Sequence, residues 1–439
     1  MSADTTLEAD LAVDAPPVVQ PLPLSTRLPV LAFAGALLLL CEFTSPYFGM
    51  LGLPISFFLK NKLHLSASGL AQFNLMTAAP LFGGFLFGLV RDRWSPAGRG
   101  DRGHLVLFGL ILAGLYAVLA VAPPSYLTLL IGVLLATATI QMVWSAARGL
   151  ASTIGQQHAM AGQISTVLSM ATSVASMGAY FLGGVLSAYL ESRNAALAAR
   201  LLFLGGVGLA LMIAAFGALG PKSLFTAARR EALPASLVAD FARLVRHWPI
   251  YPVLLIQMLW QFGPAAGLAM QYHLANTLHA TDVQVGAWFA LFFGMFTPVY
   301  VIYGFLCQKV NLRRLLWLGT GFAVLQMVPL LFVHTVNQAL VAAVVLGLLG
   351  GLPQAAYTDL AVRSCPKGLQ GTMMMLFIGV YWASTRFGDL WGAYLYDRAG
   401  GFTTTVYATI GVYVLIIPVL LLVPKRLIST SDGEAPAAA

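Results

Sequence analysis

Gly88-Leu89-Val90-Arg91-Asp92-Arg93 closes one long apolar run, and Gly304-Phe305-Leu306-Cys307-Gln308-Lys309 closes another in the second half of the chain. Each is preceded by a matching stretch. Leu59-Lys60-Asn61-Lys62-Leu63-His64 ends the apolar run before the first turn, and Leu274-Ala275-Asn276-Thr277-Leu278-His279 ends the run before the second. A polar turn, Ser66-Ala67-Ser68 or Thr281-Asp282, follows in each case. Further on, Ala161-Gly162-Gln163-Ile164-Ser165 pairs with Leu369-Gln370-Gly371-Thr372-Met373. Three correspondences in the same order describe a chain made of two parallel halves.

Working outward, the runs between these turns are long enough to cross a bilayer. A spanning helix needs about 20 apolar residues, because it rises 1.5 Å per residue across roughly 30 Å of hydrocarbon. Twelve such runs are predicted. They cover 29–58, 69–90, 104–122, 125–148, 162–189 and 199–219 in the first half. In the second they cover 251–275, 282–307, 312–333, 337–360, 369–396 and 402–424. The expected fold class is an all-α membrane protein with twelve transmembrane helices in two six-helix pseudo-repeats.

Composition agrees. Of 439 residues, 59% are hydrophobic and 9% charged, against about 25% charged in a soluble chain. Mean hydropathy is +0.82. A net charge of +8 raises nucleic acid as a partner, but no basic stripe is interleaved with aromatics. Cys41, Cys307 and Cys365 form no metal spacing and read as reduced or core thiols.

The basic residues instead report orientation, since cytoplasmic loops retain Lys and Arg. With the N-terminus inside, the inner segments hold Arg27, Arg91, Arg93, Arg99, Arg102, Arg148, Lys309, Arg313, Arg314, Arg363, Lys367, Lys425 and Arg426, plus Lys222, Arg229, Arg230, Arg243 and Arg246 in the linker. The outer loops hold only Lys60, Lys62, Arg193, Arg200 and Arg398. Both termini are therefore expected in the cytoplasm. The expected division is a disordered, acidic, Pro-rich arm over 1–27, a six-helix bundle over 28–220, an amphipathic cytoplasmic linker over 221–250, a second bundle over 251–424 and a tail over 425–439. The acidic start does not read as a signal peptide.

Gly88-x-x-x-Asp92-Arg93 resembles the loop signature of the major facilitator superfamily, G-x-x-x-D-R/K. The resemblance implies a two-bundle transporter in which Asp92 and Arg93 help latch the halves on the cytoplasmic side. The second copy has Gln308 where the acid would stand, so no equivalent latch is expected there. Ala361 to Thr372, with Arg363, Cys365, Pro366 and Gly368, is also similar to the folate–biopterin transporter branch. Gln370 replaces that branch's usual acid, and the muropeptide permease and acetyl-CoA transporter branches share similar loops.

Charge within a span costs roughly 2.5–3.5 kcal/mol, so such residues face a cavity or a partner. Glu42 lies in the first span, and Arg386 and Asp389 share a face of the eleventh. Glu42 and Asp389 are candidate proton carriers; the competing reading of Glu42 is a structural ion pair, with Arg386 for example. Asp359 and Arg363 suit a cytoplasmic gate or anchor. In the family resembled, the first, fourth, seventh and tenth helices line the cavity. Here those helices carry Glu42 and Tyr47; Gln141, Trp144 and Arg148; Gln257, Trp260 and Gln261; and Gln354 and Tyr357. With Arg386, these are the candidate cavity residues. Amides and aromatics on one face suit a partly planar, hydrogen-bonding solute, while helix–helix hydrogen bonds are the plainer use. Arg148 attracts an anion or anchors the inner end.

No phosphate-binding loop, zinc-protease helix or nucleophile elbow is present, and seven dispersed histidines make no catalytic cluster. The expected function is secondary active transport of a small polar, anion-compatible organic solute, coupled to protons, by a monomer in a bacterial inner membrane. Its expected partners are that solute, lipid and protons, with no cofactor, metal or nucleic acid. The alternative is a transporter-like sensor or assembly factor.

Overall fold

The computed structural model describes residues 22–47, 49–65, 67–227, 237–366 and 368–432. The first half holds Leu24–Thr44 with Gly52–Asn61, Ala67–Phe82 with Gly84–Arg93, Asp101–Val121, Tyr126–Gln157, Ala161–Glu191 and Ala195–Leu219. These are the first to sixth spans. The second half begins with Ile250–Gln261 and Leu268–Tyr272, then Asp282–Gly294 with Phe296–Leu306, and Leu312–Gln326 with the short turn Val328–Phe332. Val336–Ser364, Gln370–Arg398 and Gly401–Val414 with Ile416–Leu420 complete the tenth to twelfth spans.

Among the described residues, ten helical segments are long and apolar enough to cross a membrane. The seventh and eleventh spans make up the twelve. The eleventh is a continuous 29-residue helix, made polar by Arg386 and Asp389. The seventh is interrupted at 262–267, around Pro264, where the proline nitrogen has no proton to donate.

The runs predicted over 29–58 and 251–275 are therefore broken helices rather than continuous ones. The first breaks between Ser45 and Leu51, around Pro46. It also begins at Leu24, inside the stretch expected to be an arm; residues 1–21 lie outside the described part. In the linker, Lys222–Ala227 and Leu237–Arg246 are helical, Leu244 is buried, and Arg243 and Arg246 are exposed. Residues 228–236, with Arg229 and Arg230, lie outside the described residues, as do Lys367 and 433–439.

Helix starts follow local chemistry. Ser125, Asn194, Thr281, Asn311 and Thr335 cap the fourth, sixth, eighth, ninth and tenth spans, each accepting from the amide three residues on. At the fifth and eleventh spans Met160 and Leu369 stand at the cap positions and supply no side-chain acceptor, as is also true of the first, third, seventh and twelfth. The fifth and eleventh both start at the interface between the halves. The second span packs on the eleventh there, and the fifth on the eighth and tenth.

Within the first half, the third and sixth spans approach through glycines. A Cβ at Gly109 would sit 2.9 Å from the Ala214 nitrogen and 3.1 Å from its Cβ. Gly114, further along the same helix, has open space. Gly109→Val is expected to destabilise the protein by about 1–3 kcal/mol through overpacking, lowering its melting temperature in detergent, while Gly114→Val leaves it nearly unchanged. Equal melting temperatures for the two variants would contradict this packing.

Candidate solute cavity and gate

Glu42 and Arg148 form an ion pair between the first and fourth spans. Arg148 stands nine residues before the end of its helix at Gln157, and Glu42 nine residues beyond Phe33. Phe33 packs on Phe216 and Phe225 at the bundle's end. Nine residues rise roughly 13 Å, so the pair lies inside the spans. The pairing expected with Arg386 is not made. Arg148 is neither at the end of the bundle nor free to be a simple anchor.

The fourth span carries a run of buried polar atoms with no hydrogen-bond partner among the described residues. They include both amide atoms of Gln141, the indole nitrogen of Trp144 and Nε of Arg148, with Ser152 Oγ further along. Their spacing, three and four residues, places them on one face. Arg148 also stacks over Trp144, its guanidinium carbon 5.9 Å from the ring centroid. An unsatisfied buried polar atom costs about 1–3 kcal/mol.

The corresponding surface of the second half is self-satisfied. Trp260 donates its indole N–H to Gln354 Oε1 at 2.6 Å, and Gln261 donates to the same oxygen at 3.2 Å. Gln354 donates in turn to Thr358 at 3.3 Å. Gln257 reaches the Tyr357 carbonyl at 3.4 Å. Tyr357 is fully buried, with its hydroxyl 2.8 Å from that of Thr320 on the ninth span.

Above the Gln141–Arg148 face lies a cavity of about 240 Å³ lined by Tyr47, Ser56, Asn74, Thr77, Val133 and Arg386 among others. Arg386 reaches Tyr47 at 3.5 Å and Asp389 at 3.5 Å. Asp389 also accepts from the Leu268 amide at 3.2 Å, where the seventh span resumes. A Cβ at Gly267 would collide with the same carboxylate oxygen. Asp389 thus anchors the helix break.

The other end, which carries most of the loop arginines and is called the basic face below, is shut. Asp92 accepts from the Gly371 amide at 3.2 Å and from the Thr372 amide and hydroxyl, both at 2.6 Å. Arg91 holds Asp92 at 2.6 Å and grips Asp101 with two bonds of 2.6 and 2.5 Å. Arg93, picked out by the motif, is exposed; the buried arginine is its neighbour two places back, and the sequence reading missed both it and Asp101. Gln156 also crosses between halves, donating to the Val362 and Cys365 carbonyls at 2.9 and 2.8 Å. Arg363 binds Asp359 at 2.7 Å and Asp432 at 3.0 Å. Asp359 accepts from Tyr303 at 2.8 Å as well.

Two bundles of membrane-spanning helices, joined at one end by bonds from Asp92 to the Gly371 and Thr372 amides, with a polar cavity in the first bundle that Arg386 of the second reaches, have the architecture of a membrane transporter. Residues 31–388, with a second match over 261–437, fit the family model of the Major Facilitator Superfamily, and the chain belongs to that superfamily. A search of curated proteins finds no match. Among solved structures, the chain is similar to the transporter FucP in its outward conformation, with a TM-score of 0.67 at 15% identity over 90% of this chain and 98% of that one. The proton:xylose symporter XylE gives 0.64 at 12% identity, covering 93% and 97%. The human organic anion transporter MFSD10 gives 0.60 at 16%, covering 91% and 100%. None of these matches singles out the folate–biopterin branch.

Removing one member of a buried ion pair strands the other and costs about 3–5 kcal/mol. Arg148→Ala and Glu42→Ala are each expected to destabilise on that scale, with the double variant recovering part of the loss. Unfolding in detergent measures the coupling; additive losses would remove the pair from the account.

Proposed function

We propose that the chain is a proton-coupled secondary transporter for a small, polar, anion-compatible organic solute, working by alternating access between its halves. The observation that supports this most is the row of unpartnered donors and acceptors on Gln141, Trp144 and Arg148. They continue down the helix that lines the cavity at Val133. A solute descending from the cavity meets an amide offering both a donor and an acceptor, an indole N–H and a guanidinium edge. A ligand with several hydroxyl or carbonyl groups matches that set.

The second half supports the same reading in a different way. Its Trp260–Gln354–Gln261 cluster is preformed, and binding there exchanges an internal bond for one to the solute. Rocking of the halves then opens the basic face as the cavity closes. Proton coupling in this fold has a precedent in the proton:xylose symporter. In this chain Glu42 is the proposed carrier, because protonating it releases Arg148 toward the solute. Asp389, bonded to the Leu268 amide, is the weaker candidate. We assign the basic face to the cytoplasm from its arginines, and propose that both termini lie inside, that the membrane is a bacterial inner membrane and that a monomer is the working unit.

Reconstituted protein is expected to accumulate its solute against a gradient when a proton gradient is imposed. The screen includes sugars, pterins, folates, amino acids and sugar-peptides. Gln141→Leu is expected to raise KM at least about tenfold by leaving polar groups of the solute unpaired. Glu42→Gln should abolish accumulation while solute exchange across the membrane persists. Full accumulation by Glu42→Gln would rule out this proton carrier.

A further inference from the structure

The repeated turn of the second half lacks the acid that makes Asp92 a latch. Gln308 donates to the Gly304 carbonyl at 2.7 Å, back along its own helix. Yet the fifth span, which is the counterpart of the eleventh, does not start uncapped. Asp432 Oδ1 accepts from the Gly162 amide at 3.1 Å, and Oδ2 accepts from the Gln163 amide at 2.9 Å. Gly162 and Gln163 lie in the Ala161–Ser165 stretch that pairs with Leu369–Met373, where Gly371 and Thr372 bind Asp92.

The surroundings repeat too. In the first latch, Arg91 lies between the capping Asp92 and a second carboxylate, Asp101. In the second, Arg363 lies between the capping Asp432 and Asp359. Asp432 sits over Cys307, its Oδ2 3.6 Å from the sulfur, and Cys307 is the residue beside Gln308 in the repeated turn. A Cβ at Gly162 would fall 2.5 Å from Cys307 Cβ and 2.9 Å from Asp359 Oδ2. Gly88 approaches Thr372 just as closely in the first latch, where a Cβ would strike the Thr372 backbone.

The tail that carries this carboxylate is fastened to the second half. The Asp432 amide donates to the Cys307 carbonyl at 2.9 Å, the Leu312 amide to the Thr430 carbonyl at 3.4 Å, and Arg363 to the Thr430 carbonyl at 2.9 Å. Asp432 is buried. Its two amide partners belong to the first half. A segment anchored on one half and bonded through its charge to the other has the geometry of a clasp.

We propose that Asp432 is a positioning residue of the transport cycle: it closes the basic face as the second latch, in place of the acid missing at Gln308. The two latches then cross, each half supplying the carboxylate that caps a helix of the other. Opening the basic face must break both. Burial and the neighbouring Asp359 push the Asp432 carboxyl up to about 6. Above that pH it is ionised, held by Arg363 and the two amides. The proposal rests on the alternating-access reading, but its test needs no solute.

The full-length protein is spin-labelled through cysteines placed at Arg99 and Arg313, both exposed and on opposite halves of the basic face. Distances are measured in lipid at about pH 7.5, above that carboxyl's value. Asp432→Ala is expected to lengthen the distance and to raise the open-to-closed ratio at least about tenfold, the scale of losing charge-assisted bonds. Asp92→Ala should shift it in the same direction. Adding Gln308→Asp to the Asp432→Ala background is expected to restore the short distance. An unchanged distribution in Asp432→Ala overturns the latch, whatever Asp92→Ala does. A shift that Gln308→Asp fails to reverse overturns the claim that the tail replaces the repeat's acid. The alternating-access reading fails separately, if no variant and no solute ever populates a second distance.

Discussion

Two helices begin at the seam between the halves with amides that nothing in their own sequence caps. That constraint organises the basic face. The first amides of a helix have no intrahelical acceptor, and their partial positive charge favours a carboxylate. Buried at an interface, they must find one nearby. The eleventh span finds Asp92 and the fifth finds Asp432. Each carboxylate is in turn held by an arginine, the buried Arg91 or the partly buried Arg363, so the alignment of the two halves is set by the ends of two helices. Small residues at the contact are a consequence. Gly88, Gly162 and Gly371 stand where any Cβ would strike backbone or a latch side chain.

Much of this was legible in the sequence. Hydrophobic run length reported the spans because lipid forces every backbone polar group to be satisfied within its own helix. The repeat was legible because both halves use the same chemistry at the same turns. The breaks in the first and seventh spans were harder to see. Their apolar composition continues across 45–51 and 262–267, and a proline in a membrane helix can either kink or interrupt it. Arg91 was hidden by Arg93: neighbouring basic residues at a helix end look alike, and only packing decides which turns inward. Asp432 was invisible for another reason. It lies far along the chain from Gly162, in a polar tail whose composition resembles any solvated end.

The polar residues of the cavity-lining helices illustrate a different limit. Periodicity placed Gln141, Trp144 and Arg148 on one face, and likewise Gln257, Trp260 and Gln261. It carried no information on which groups would satisfy each other. The second half closes its hydrogen bonds around Gln354, whereas the first leaves its own open. Glu42 and Arg148 show the same thing for charge. Each alone reads as a costly intrusion into the bilayer. Together they neutralise one another across two helices, and the choice of Arg148 over Arg386 depends on how the first helix is rotated.

The amide caps at the seam have a further property. When the basic face parts, the amides of Gly162, Gln163, Gly371 and Thr372 meet water, and so do the carboxylates that left them. Each protein hydrogen bond is traded for hydration, and at a charged group such a trade is worth about 1.5–3 kcal/mol net, well below the strength of the bond itself. The seam thus specifies one alignment sharply in space while holding it shallowly in energy. A shallow preference is what a small ligand can reverse, because a ligand shifts such an equilibrium only by its difference in affinity for the two forms.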